Sequence, residues 1–265
     1  MKMSAAILLA LCATAAAAVF AADEGGPTNP APDAAALMES VVAQLPREAL
    51  TITGEIEVTR RHGAVARKLM FEMRLDFGAE PPTARYTLRD ALGKNLAQLT
   101  MTRRATGVRF AYEAGDPPRA ADVPDMAAPV LDTDMTWQDL TLSFLWWRKG
   151  AVLGDDVAKG RACHVVELRA PAGEPAGNVK LWIDKQIPMM LQAEAFDAKG
   201  RKVRSLWIKS FKKIKGRWMV REMEVQQEPP SHRTHITITG LDGQALQEPE
   251  GSDTVAPEAV GHVTE

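Results

Sequence analysis

The sequence predicts a mainly β protein: a strongly curved antiparallel sheet, or half-open barrel, of about ten or eleven strands with two helices across its concave face. Three observations predict it. Residues 161–225 alternate short runs rich in Val, Ile, Leu, Trp and Phe with turn signals at 197–200 and 213–216, the signature of successive hairpins. Leu69, Phe71, Met73, Leu75 and Phe77 alternate with Lys68, Met70, Glu72, Arg74 and Asp76, the period of a half-buried strand. The strand-like runs also follow one another without helices between them, which favours one curved sheet over a βαβ fold.

In chain order, residues 1–21 read as a secretory signal peptide. Lys2 supplies the charge, Ile7 to Phe20 the apolar run, and Val19-Phe20-Ala21 a cleavage site before Ala22. The run is too short for a comfortable membrane span, so the chain is expected in the periplasm. Cys12 follows Leu11 inside that run and is expected to leave with the signal rather than carry lipid. Cys163 then has no partner for an internal disulfide and is expected to fill strand core. Residues 22–32, rich in Gly, Pro and Asn, read as a flexible tether. A single domain is expected over 33–243.

Asp33 is placed to cap a helix bearing Leu37, Val41 and Leu45 and ended by Pro46. Strands are expected from Ala49, with Ile52, Gly54, Ile56 and Val58 on one face, then over 69–77, 85–89, 96–102 and 108–113. The Pro-, Ala- and Asp-rich stretch from Asp116 to Asp134 reads as a long connection of functional or mobile character. Thr136 to Trp147 reads as one helix, with Trp137, Leu140, Phe144 and Trp147 near one face. In the run after Gly200, Arg204, Leu206, Ile208 and Ser210 share one strand face and Val203, Ser205, Trp207, Lys209 and Phe211 the other. A last strand is expected over 234–239. Residues 244–265 read as a disordered tail.

The net charge of −2 argues against nucleic acid as a partner. His232 and His235 fall three apart beside Pro229-Pro230; on a strand they diverge, which excludes a shared metal ion. Glu222 and Glu224 read as the polar face of a strand, and Asp155-Asp156 as part of a Gly-flanked turn. The basic residues Lys209, Lys212, Lys213, Lys215, Arg217 and Arg221, interleaved with Trp207, Phe211 and Trp218, read first as a solvated hairpin and second as a contact for anionic head groups. The chain has no nucleophile elbow, phosphate loop or zinc-binding helix signature, so no enzyme and no cofactor is indicated.

The strand VKLWIDK, the P-x-x-x-x-A-E-A-F-D run after it, the hairpin strand KGRKVRSLWIKSFKKI with GRW, and the upstream DTDMTWQDLTLSFLWW together resemble the outer-membrane lipoprotein-sorting family, the LolA-like periplasmic carriers. The resemblance implies a monomeric carrier that binds lipoprotein acyl chains, or another lipid, in an apolar cavity. In the family such carriers receive cargo from an inner-membrane export complex and pass it to an outer-membrane acceptor. The candidate lining residues are Leu69, Phe71, Met73, Leu75, Leu140, Phe144, Trp147, Trp207 and Phe211. A non-carrier envelope interaction or sensor module with a filled core is the second expectation, with the Asp116–Asp134 stretch as its contact; a secreted enzyme is the third.

Overall fold

The computed structural model describes residues 32–60, 63–105, 107–171, 177–214 and 217–246. The expected signal peptide, Cys12, the tether up to residue 31 and the tail from 247 lie outside the described residues. The chain opens with helix α1 (Ala34–Ala43) and continues through β1 (Leu50–Arg60), β2 (Val65–Asp76), β3 (Thr83–Asp90), β4 (Asn95–Arg104), β5 (Gly107–Ala114) and β6 (Arg119–Ala121). Helix α2 (Trp137–Thr141) and a 3-10 turn (Ser143–Trp146) follow, then β7 (Gly150–Ala158), β8 (Arg161–Arg169), β9 (Asn178–Asp184) and β10 (Met190–Phe196). The last strands are β11 (Lys202–Ile214), β12 (Arg217–Gln227), β13 (His232–Leu241) and β14 (Gln244–Ala245).

All strands join one antiparallel sheet in the order β6-β5-β4-β3-β2-β1-β13-β12-β11-β10-β9-β8-β7, with β14 paired to β13. Each hairpin connects neighbours except at one place. β6 and β7 are consecutive in sequence yet form the two edges, so residues 122–149 must cross the sheet from one edge to the other. The sheet is therefore open, and its own chain covers it.

One apolar cluster shows which face is covered. Leu99 of β4, Leu88 of β3, Leu69 and Phe71 of β2, Ile56 of β1, Ile236 and Ile238 of β13, Val225 of β12, Leu206 and Ile208 of β11, Leu181 and Ile183 of β9, and Val166 and Leu168 of β8 are all buried in it. Met38 and Val41 of α1 and Met126, Val130, Met135, Trp137, Phe144, Leu145 and Trp147 of the crossing segment pack into the same cluster. Ten strands laid flat would span roughly 40 Å at ~4.8 Å per strand. A helix the length of α1 covers only about 15 Å. A single cluster across that width requires the sheet to curve around its covering elements.

The details differ from expectation where alternation was weak. The described residues form fourteen strands; β6, β7 and β14 account for the surplus. Asp155 and Asp156 lie within β7 rather than in a turn. β7 is an edge strand, hydrogen-bonded on one side and largely exposed, so no burial pattern marked it. Helix α1 is capped by Asp33, whose carboxylate accepts the Ala36 N–H at 3.2 Å, but it ends before Leu45, and Ala34, Met38 and Val41 are its buried residues. The single helix expected over 136–147 is broken at Leu142, which takes a left-handed conformation at φ 49°. The Asp116–Asp134 stretch includes β6, and its Met126, Val130, Thr133 and Asp134 are buried.

Asp184, the last residue of the Trp-Ile-Asp strand, fixes the turn into β10. It pairs with Arg161 and accepts the Gln186 and Ile187 N–H groups at 2.8 Å each. Burial pushes its pKa up, but the Arg161 guanidinium and the two amides outweigh burial and hold the carboxyl below its ordinary range. Arg161 is partly exposed, so screening trims the pair's worth. Asp184→Asn is expected to cost about 2 kcal/mol at pH 7. Because the folded pKa lies below the unfolded one, this stability is complete above the unfolded value of about 3.9 and disappears as pH falls through the folded value. Urea unfolding should show the gap between wild type and variant narrowing below about pH 4; an unchanged gap at acid pH would remove Asp184 from that role.

Candidate functional site

The crossing segment builds the site. Its first half is a tight loop: Val130 N–H bonds Met135 O at 2.8 Å, Thr133 N–H bonds Val130 O at 3.0 Å, and Leu131 and Asp132 at the tip are left-handed, at φ 45° and 61°. Thr136 then caps α2 in a capping box. Its hydroxyl accepts the Asp139 N–H at 3.2 Å, and Asp139 Oδ2 accepts the Thr136 N–H and hydroxyl at 2.8 Å each.

Polar pins hold this segment to the sheet. Asp134 donates its N–H to Thr234 Oγ1 at 2.8 Å and accepts that hydroxyl at 2.9 Å; Thr234 is wholly buried on β13. Asp139 Oδ2 lies 2.5 Å from Arg204 Nε of β11, with both side chains mostly buried. That contact is off the line a hydrogen bond needs, so the attraction is ionic. Arg67 of β2 meets Asp132 at 2.8 Å, and Arg148 meets Glu39 of α1 at 3.2 Å, both at the surface. The fit is nevertheless incomplete. Gln138 Nε2, Ser143 Oγ and Trp146 Nε1 are buried donors that find no acceptor among the described residues.

Two spaces open beside the segment. A small apolar gap of about 40 Å³ lies between sheet and segment, lined by Ile56, Phe71, Met73, Met135, Leu140, Val220, Met223, Ile236 and Ile238 together with Arg221. A larger cleft of about 690 Å³ lies at the α1 end, with Val42, Leu45, Phe77, Leu145 and Trp146 as its apolar wall and Glu39, Arg47, Glu80, Arg103 and Arg148 among its polar residues. The two are linked by side chains in one cluster. Phe77 and Trp146, ring centroids 5.9 Å apart, pack together with Leu75, Met73 and Leu140 against buried Ala84, Tyr86 and Met101, and of these Met73 and Leu140 line the gap.

The sequence-predicted lining residues divide accordingly. Met73, Leu140 and Phe71 meet at the gap, while Leu75 lines neither space and packs against the main core and against Ala84, Tyr86 and Met101. Leu69, Phe144 and Trp147 are buried in the main core. Trp207 stands on the opposite face, paired in register with Gln192 and Glu224 and outside the apolar clusters. Phe211 lies past a double register shift between Ile208 and itself, where a bulge ends the simple alternation, and it touches both the main core and the small cluster around Cys163. Cys163 is fully buried, and burial pushes its thiol pKa up. Sequence reasoning did not pick out the pins Asp134, Asp139, Arg204 and Thr234, nor Trp146 and Phe77 as a pair. Thr136-x-x-Asp139 was a readable capping signal, and Arg204 shares parity with Leu206 and Ile208, which marks a charge among inner-face residues.

The remaining candidates lie on β11, β12 and β13. His232 and His235 both lie on β13, opposite Arg60 and Glu57. Glu224 lies within 3.6 Å of Lys209 and 3.4 Å of Arg233, and Ser210 donates to Glu222 at 2.9 Å. In the basic hairpin, Lys213 lies over the Trp218 ring, 6.0 Å from its centroid, while residues 215 and 216 of the turn lie outside the described residues. Among the described residues no helix is long and apolar enough to cross a membrane, which says nothing of strands.

Comparison with known proteins places this geometry. Solved structures share the fold at low identity. A DUF1329 family protein from Desulfovibrio piger superposes with a TM-score of 0.67 at 16% identity, covering 80% of this chain and 91% of its own. A putative outer membrane lipoprotein-sorting protein domain from Vibrio parahaemolyticus gives 0.67 at 14%, covering 82% and 94%. A LolA superfamily protein from Nitrosomonas europaea gives 0.63 at 13%, covering 83% and 96%. Among curated proteins none matches. A family model described as "-like: Uncharacterized protein" matches residues 116–248, half of the chain, from the covering segment through the last strands. The chain therefore belongs to the family so described, and its fold is that of LolA-like proteins.

Proposed function

We propose that this protein is a periplasmic carrier that binds acyl chains, of lipoproteins or of another lipid, between the concave face of the sheet and the crossing segment. The cleft is the entrance, and the Phe77–Leu75–Met73 row of β2 is the wall along which a chain would lie. The supporting observation is the seam itself: an apolar sheet face covered by a segment that is held by a few polar pins and that leaves three buried donors unpaired among the described residues. Each unpaired buried donor costs about 1–3 kcal/mol. Such a segment separates from the sheet more cheaply than ordinary core.

Magnitudes require it to move. The gap is comparable to the ~30 Å³ share of one water molecule in the liquid, so a chain can enter only if Leu140 and its neighbours withdraw. The gain is about 0.8 kcal/mol per methylene buried, enough over several methylenes to offset one or two lost pins. Release to an acceptor membrane is the same equilibrium run backwards. No reacting group is needed for this function; it is binding rather than catalysis.

The near-filled core favours one other reading, a non-carrier envelope interaction or sensor module. A fluorescent fatty acid separates the two. Saturable one-to-one uptake, reversed by palmitate, supports the carrier. Intact protein that takes up no probe supports the module.

A further inference from the structure

We propose that the cleft is built for the head of its ligand as well as for the tail, and that the ligand is an amphiphile with an anionic head, a carboxylate or a phosphate, on a single acyl chain. This rests on the acyl-carrier reading above and goes beyond it by naming the head-group class.

Three arginines, Arg47, Arg103 and Arg148, line the cleft, against two glutamates, Glu39 and Glu80. Glu39 is engaged by Arg148 at 3.2 Å. Arg47 and Arg103 have no carboxylate within ion-pair distance among the described residues, whereas Arg148 of the same cleft is paired with Glu39. They come from two separate elements, the turn after α1 and the end of β4, which the fold brings to one mouth. Guanidinium matches carboxylate and phosphate geometry with paired N–H donors.

A second observation comes from the wall. Trp146 lines the same cleft beside Val42, Leu45 and Leu145. Its ring packs on Phe77, where the apolar row towards Met73 begins. Positive charge at the mouth and an apolar row behind it are the features of an amphiphile site. At about 690 Å³ the cleft falls within the ~300–1,000 Å³ typical of small-molecule pockets.

The experiment compares dodecanoate, dodecyl phosphate and neutral dodecanol by titration calorimetry, with inorganic phosphate as a chain-free control. It uses the wild-type protein and the Arg47→Ala/Arg103→Ala variant. Both residues are outside the core, and equal melting temperatures confirm that the variant is folded. The expected result is that wild type binds the two anionic amphiphiles roughly tenfold or more tighter than dodecanol, and that the variant binds all three alike. Equal binding of all three by wild type overturns the head-group site and leaves the acyl-carrier reading standing. Binding of none overturns the carrier reading itself. Phosphate that binds as tightly as dodecyl phosphate overturns the amphiphile in favour of a free-anion site. A variant that keeps the full anionic preference assigns that preference away from Arg47 and Arg103 and overturns the proposal.

Discussion

Asp139→Ala is expected to destabilise the protein by about 3–5 kcal/mol, because it leaves the mostly buried Arg204 charge without its counter-ion. The same substitution removes the carboxylate that closes the capping box with Thr136, a loss of about 1 kcal/mol by itself. The effect should be local as well as global. Asp139 sits at the middle of the crossing segment, so its loss unpins residues 122–149 from β11, and limited proteolysis should cut there first. The double variant Asp139→Leu/Arg204→Met is the control. Replacing both charges with apolar groups of similar volume removes the uncompensated charge and should recover most of the stability. Urea unfolding of wild type, the single variant and the double variant makes the comparison. An Asp139→Ala protein within about 1 kcal/mol of wild type would mean that the pair is solvated and does not hold the segment down.

Phe144→Ala is expected to cost about 3–5 kcal/mol, the range for emptying a buried aromatic site. Phe144 is among the largest fully buried side chains, and on the 3-10 turn it faces Val179, Ala193, Ala195 and Leu206. The two alanines of β10 leave the space its ring fills. Small residues facing a ring cannot close over the hole, so the cavity term is retained in full. The substitution also separates carrier from plain core. If acyl chains occupy the space that the crossing segment's side chains fill, Phe144→Ala should bind the fluorescent fatty acid more tightly while melting earlier. Lost stability with no gain in binding would make Phe144 an ordinary core residue.

The legible part of this fold was the part with period-two burial. The Leu69–Phe77 alternation and the strand around Trp182-Ile183-Asp184 were plain, because one face of each packs on the core. β7 was not legible, since an exposed edge strand has no buried face to write a pattern. The break at Leu142 was hidden because Trp137, Leu140, Phe144 and Trp147 fit a helical period that the chain abandons midway. The left-handed residue turns Phe144, Leu145 and Trp147 into the core in a way no single helix could. The site followed the same logic. Phe71, Met73, Leu75 and Leu140 were accessible from periodicity. Trp207 was read on the strand face opposite Leu206 and Ile208, and it is the Leu206 face that packs into the core. The pins were out of reach as pairs: Asp134 and Thr234, or Asp139 and Arg204, are joined by topology across long stretches of chain.

The central claim is that acyl chains bind under the crossing segment along β2, and the fatty-acid titration tests it most directly when wild type is set beside Leu140→Trp. Leu140 stands where the cleft's cluster meets the gap, so a larger ring there should block the path without touching the arginines at the mouth. The predicted result is saturable binding by wild type, weakened at least tenfold in a Leu140→Trp protein that still melts cooperatively. Undiminished binding by that variant, or no binding by wild type, would contradict it.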